Sequence, residues 1–141
     1  MGLDIRKISN KTDIIVRFED TDAMSVVHFN RYLIYFEDGF ISFLNAIGMP
    51  PWEHIKRGIV FPIVESHCKY EASARFGDTL EVTTRIEKIT THSLTCKHEV
   101  RRKADGKLLA YGTLVRVCYS LEQKKIPVSD VLPIENDKAE S

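Results

Sequence analysis

Three carboxylates fall within four residues at Glu19, Asp20 and Asp22. Like charges this close raise one another's pKa and cost stability, so a loop with only a structural duty gains little from holding them. A carboxylate can attack a carbonyl carbon as a nucleophile or take a proton from water as a general base. The plainer alternative is a set of solvated loop acids that face the positive end of the next helix. The residues that follow, from Ala23 to Tyr32, lead directly into a helix start. A helix N-terminus offers unpaired amides and the positive end of a dipole, which is equipment for holding a carbonyl oxygen as it becomes an oxyanion. An acid beside such amides suits acyl transfer.

The neighbouring elements must hold the acids against that helix. Residues 12–18 are rich in β-branched and aromatic types, as a strand requires, and residues 19–25 read as a loop. Apolar residues at Phe29, Tyr32, Leu33, Phe36, Phe40, Phe43, Leu44 and Ile47 recur at steps of three and four. This spacing predicts a helix over 29–47, with Asn30 as N-cap and Gly48, Pro50 and Pro51 as the stop. A short turn is expected over 52–56. Four β-like runs follow at 59–76, 80–90, 93–103 and 108–120, broken by turn residues at Gly77-Asp78, Thr91-His92 and Asp105-Gly106. The first run is too long for one flat strand, which predicts a bend or bulge near 65–70. Their connections are too short for crossover helices, so the runs are expected to form an antiparallel meander. One helix with a wide apolar face against one curved sheet is a two-layer α+β domain. It is expected to occupy residues 1–141 as a single unit, with a polar tail from about 135.

Composition removes several function classes. Twenty basic residues balance twenty acidic ones, so no net field favours nucleic acid or an anionic membrane. The opening residues lack an apolar core, no run approaches the ~20 residues that cross a bilayer, and a cytoplasmic location is the expectation. Cys68, Cys96 and Cys118 are odd in number and widely spaced, so they read as buried reduced thiols and not as metal ligands. His54, His92 and His98 have no ligand spacing with them.

The stretch Arg17-Phe18-Glu19-Asp20-Thr21-Asp22-Ala23, followed by Val26-Val27-His28 and Tyr32, resembles the signature of the 4-hydroxybenzoyl-CoA thioesterase family. That signature is a D-x-D pair, a small residue, a V-V or I-V pair, an aromatic or His, and a later Tyr. The resemblance continues through Gly48-Met49-Pro50-Pro51-Trp52, Arg57-Gly58-Ile59-Val60, Pro62-Ile63-Val64 and Gly77-Asp78-Thr79-Leu80, and so covers nearly all of the chain but its tail. It implies the hot-dog fold, a long central helix wrapped by a curved antiparallel five-stranded sheet. It also implies hydrolysis of an acyl-CoA thioester, with Asp22 as the catalytic carboxylate and the Phe29 amide on the thioester oxygen. Coenzyme A would lie in a channel between two subunits of a homodimer, itself commonly paired into a homotetramer. No metal or redox cofactor is implied, coenzyme A being part of the substrate.

Three departures bear on the transfer. Many relatives carry Asn where this chain has Arg31, which reads as an exposed helical Arg or as a contact to substrate or a neighbouring acid. His28 stands where relatives have Tyr, Trp or His; it is a candidate to orient Asp22, with packing at the helix entry as the alternative. The turn that is often basic in relatives and grips nucleotide phosphates reads Thr90-Thr91-His92-Ser93. Tyr32, Glu65 and Ser93 are the candidate substrate contacts, Glu65 because it alternates with His67 along one face of the long strand. Glu37 reads as a solvated helix acid, or as one that faces the pocket or a partner subunit. A competing function is a non-hydrolytic module that binds acyl-CoA or acyl-carrier protein on the same fold. Binding alone needs no carboxylate beside the thioester. A dehydratase ranks below both, because its chemistry calls for a His and an acid paired across the interface.

Overall fold

The computed structural model describes residues 3–135, and the polar tail beyond Glu135 lies outside them. Strand β1 (Ser9–Ile15) starts and stops earlier than its sequence run suggests. Phe18–Asp20 instead wind into a single 3-10 turn, closed by the Arg17 amide donating to the Asp20 carboxylate at 3.0 Å. The long helix α1 (Arg31–Ala46) follows the expected apolar period. Tyr32, Phe36, Phe40, Phe43 and Leu44 are buried, joined by Tyr35, while Phe29 at the entry stays 63% exposed. Asn30 holds the N-cap position but makes no side-chain bond to the helix, because its Oδ1 lies 2.9 Å from His28 Nδ1.

The turn expected after the helix is itself a short helix, α2 (Pro51–Lys56), with proline in its first turn. The long run beyond it is divided at Pro62 into β2 (Ile59–Val60) and β3 (Ile63–Tyr70). Proline has no N–H to give a ladder, so the break falls there, with a register shift between Ile63 and Glu65. This irregularity lies at the start of the stretch where a bend or bulge is expected, near 65–70.

Strands β4 (Thr79–Ile89), β5 (Ser93–Arg102) and β6 (Leu108–Val117) form the expected antiparallel meander. The sheet as a whole is ordered β1-β4-β5-β6-β3, so β3 crosses over to pair with β6 instead of with its sequence neighbour β4. Its free side is an outer edge of the sheet. A small second sheet joins β2 to β7 (Tyr119–Ser120) and β8 (Lys124–Lys125). The sheet wraps α1 as the hot-dog arrangement requires. Cys96 and Cys118 are buried as expected, whereas Cys68 on the edge strand is only half-buried.

Gly39 lets α1 close on the sheet. A Cβ there would sit 2.9 Å from Val82 Cγ1 and would collide with the Thr84 hydroxyl. Beside that contact His98, fully buried, stacks on Phe36 with ring centroids 4.9 Å apart and shares a 2.8 Å hydrogen bond with Thr84 through Nδ1. Burial brings its pKa down to about 3, with the nearby Arg116 acting in the same direction. The folded imidazole is therefore neutral, and its contribution is complete above the ordinary histidine pKa and lost as pH falls toward 3. Going from pH 7 to pH 5 should cost about 2 kcal/mol through this residue, read by urea unfolding at both values. His98→Gln should flatten that slope, and an unchanged slope would refute the assignment.

Candidate active site at the entry to the long helix

Residues 21–27 fold into a clasp. Thr21 bridges Val27 and Val26 bridges Arg75, both antiparallel, and the Val27 amide donates to the Ala74 carbonyl at 2.9 Å. Asp22 sits at the turn of the clasp. Its amide donates to the Val26 carbonyl (2.9 Å), its own carbonyl accepts from Ser25, and its Oδ1 accepts from the Met24 amide at 2.8 Å. Ser25 takes φ 66°, a left-handed conformation uncommon outside glycine that completes the tight turn. The half-buried Asp22 lines a cleft of about 540 Å3 with Phe18, Glu19, Arg75 and Phe76.

Asp20 holds this clasp against the helix. It is only 7% exposed, and its Oδ2 accepts from the Arg17 amide (3.0 Å) and from the Tyr35 hydroxyl (2.9 Å). Its Oδ1 lies 3.6 Å from Arg31 Nε, and its backbone carbonyl accepts from the His28 amide at 2.8 Å. Burial and the adjacent Asp20 carboxylate push the Tyr35 phenol well above its usual range, so it stays protonated as a donor. One carboxylate thus ties the loop to the first two turns of α1.

The next residues supply the amide. Among the described residues Phe29 N–H has no protein acceptor, and it stands at the entry to a 16-residue helix. The loop therefore brings Asp22, His28 and the Phe29 amide to one end of α1. Tyr32, in the first turn of α1, is only 3% exposed, and its hydroxyl accepts from the Ala74 amide at 3.3 Å, which ties α1 to the segment that clasps the loop. Around them stand exposed apolar groups: Phe18 at 75%, Met24 at 78% and Phe76 at 62%, with the Phe18 and Phe76 rings edge to face at 5.7 Å.

The other sequence candidates lie elsewhere. Glu65 is exposed on β3 and bonds His67 at 2.6 Å. It pairs with Val115, whose neighbour Leu114 faces the core, so Glu65 points away from α1. Ser93 is at the far end of β4, a strand of 11 residues and so roughly 35 Å long. There its hydroxyl lies 2.5 Å from Thr90 Oγ1, in a cleft of about 490 Å3 that also takes in His92 and Lys125. Glu37 is neither solvated freely nor at the Asp22 loop; it pairs with Arg116, whose guanidinium lies 3.9 Å above the Phe40 ring. The Tyr35–Asp20 contact was missed by pattern reading, because it joins residues 15 apart through the tertiary fold.

A family model described as the thioesterase-like superfamily matches residues 16–134, from just before the acidic loop to the end of the fold. The chain belongs to the thioesterase-like superfamily. Its reaction class is thioester hydrolysis. The putative acyl-CoA thioesterase YneP of Bacillus subtilis (strain 168) is 27% identical over 116 residues, 82% of this chain and 83% of that one. Slr0204, a 1,4-dihydroxy-2-naphthoyl-CoA thioesterase from Synechocystis, has a similar solved structure: TM-score 0.79, 29% identity, 85% of this chain and 89% of that one. So has the gentisyl-coenzyme A thioesterase BH1999, with TM-score 0.79 and 28% identity over 84% of this chain and 95% of that one. Among the described residues of this thioesterase-superfamily chain no helix is long and apolar enough to cross a membrane, and no cluster of ligating side chains has the form of a metal site.

If Asp20 anchors the loop as described, Tyr35→Phe should lower stability by about 1–3 kcal/mol, because a buried carboxylate loses a donor. Thermal unfolding measures this, and an unchanged melting temperature would contradict it.

Proposed function

We propose that this protein hydrolyses the thioester of a small acyl- or aroyl-CoA, with Asp22 as the catalytic carboxylate. The observation that carries the reading is the unpaired Phe29 amide at the helix entry, with Asp22 held at the turn of the loop that leads into it. The amide and the helix dipole would draw charge onto the thioester oxygen. Asp22 would add to the carbonyl carbon, giving a mixed anhydride that water opens, or would take a proton from water as that water adds. Either route expels coenzyme A as its thiolate and leaves the free acid. His28 would help hold the entry, its Nδ1 being engaged with Asn30. The exposed rings of Phe18, Phe29 and Phe76 favour an aromatic acyl group, in keeping with the aroyl esters for which two relatives are named.

One chain supplies only part of such a site. Strand β3 is a free edge carrying exposed Ile63, Val64 and Tyr70, an arrangement that invites pairing with a second copy. Antiparallel pairing of two such edges would bring the 90–93 turn of one subunit to the same end of the double sheet as the partner's acidic loop. Lys125 and the hydroxyls of Thr90, Thr91 and Ser93 would then meet the phosphates of coenzyme A, in place of a basic turn. A dimer is the minimal assembly on this reading, and a tetramer its further pairing.

The test is release of free thiol from acetyl-, hexanoyl-, benzoyl- and 4-hydroxybenzoyl-CoA, run beside Asp22→Asn. At least one ester should be hydrolysed, and the variant should keep its melting temperature while losing about a hundredfold or more in kcat. Near-normal turnover in the variant would move the chemistry to another group. No hydrolysis of any ester, with retained binding, would favour the non-hydrolytic module.

A further inference from the structure

Strand β3 carries a charge pattern that a lone edge does not need. Glu65, His67 and Lys69 alternate along the face turned away from α1, all exposed, with Glu65 bonded to His67 at 2.6 Å. Among the described residues Lys69 has no carboxylate within ion-pair distance. A charge on a sheet edge deters pairing with another strand unless the opposite charge meets it there.

The backbone limits which residues can meet. The Glu71 amide donates to the Leu109 carbonyl at 2.8 Å, so Glu71 and, by alternation, Lys69, His67 and Glu65 turn their amides and carbonyls toward β6. A side chain on Gly112 of β6 would collide with the His67 carbonyl, in agreement with that direction. Ser66, Cys68 and Tyr70 therefore present theirs to the open side. Two antiparallel copies of β3 must match open groups with open groups, so their two-fold axis passes through a residue and not between residues. An axis at Glu65 or Lys69 sets that charge against itself. An axis at Cys68 puts Glu65 opposite the partner's Glu71, and an axis at Ser66 puts Lys69 opposite the partner's Ile63. An axis at His67 puts Glu65 opposite the partner's Lys69 in both directions, and Ser66 opposite the partner's Cys68.

We infer that two copies of this chain pair through β3 with the two-fold axis at His67, held in register by reciprocal Glu65–Lys69 ion pairs. This deepens, and rests on, the edge pairing in the proposed function. The charged residues then occupy non-hydrogen-bonded pairs, the closer kind, with Cα atoms about 4.5 Å apart. The register also reaches the candidate site. Ile63 pairs with the buried Arg116, which puts its side chain on the helix side of the sheet. There it comes beside the partner's Tyr70, in the ring pair that Tyr70 makes with Phe29. Each copy thus extends the apolar wall of the other's site with a side chain that is 42% exposed in the single chain.

The experiment measures the dimer dissociation constant by sedimentation through a dilution series at low salt. It compares the unaltered protein with Glu65→Lys, Lys69→Glu and the double swap. Each single change sets like charges opposite each other twice and should weaken the dimer about tenfold or more, and the double swap should restore it to within about threefold. His67→Cys gives a second readout: mild oxidation should join two copies through one disulfide at the axis, while the unaltered protein, its Cys68 opposite Ser66, should stay unlinked. Single changes that leave the dimer as tight or tighter, a double swap no tighter than the singles, or oxidative linkage through Cys68 would overturn the register. A protein that sediments as a monomer at every concentration would sink the edge pairing itself. Thiol release by the unaltered protein beside Asp22→Asn judges the chemistry separately from both.

Discussion

A single buried carboxylate organises this end of the molecule. Asp20 has little access to solvent, and an unsatisfied anion there would be costly. It is satisfied by the Arg17 amide, the Tyr35 hydroxyl and Arg31, and its own carbonyl takes the His28 amide. Those partners belong to the turn after β1, to the interior of α1, to its first residue and to its entry. Meeting the needs of one acid therefore fixes the approach of the loop to the helix. Asp22, two residues on, inherits that placement while its own carboxylate accepts from the Met24 amide within the loop. The neighbouring acids thus divide between anchoring and, on the proposed reading, chemistry.

The rest of the fold serves that placement. Gly39 allows α1 to lie close on β4 and β5, which sets how far the helix entry stands from the sheet. The hydroxyl of Tyr32 and the backbone of Ala74 tie α1 to the segment that clasps the loop from the other side. The site nevertheless ends in exposed aromatic groups and lies near the Tyr70 end of the edge strand β3, with the Phe29 and Tyr70 rings 6.5 Å apart. Apolar surface left open around a chemically equipped loop is what a substrate and a second subunit would cover.

Much of this was legible in the sequence. The three- and four-residue spacing from Tyr32 to Leu44 gave the buried face of α1, and the alternation of Leu80, Val82, Leu94 and Cys96 gave the inner face of the sheet. Turn residues marked the hairpins. Long-range partnership was less visible. Nothing local says that β3 pairs with β6 and not with β4, since strand order follows from how the sheet closes over the helix. The role of Asp20 was hidden for a related reason: in a run of acids, burial singles out the anchor, and burial comes from Tyr35 and the helix packing behind it. Arg31 read as an exposed helical arginine or as a contact to substrate or a neighbouring acid, and the sequence did not decide between them because its partners precede it by eleven and twelve residues.

The most direct test of the account is a crystal structure of the Asp22→Asn protein with an unhydrolysed acyl-CoA. The account predicts the thioester oxygen about 3 Å from the Phe29 amide nitrogen, with its carbonyl carbon facing the side chain at position 22. A thioester bound away from the start of α1, with the Phe29 amide left open, would contradict it.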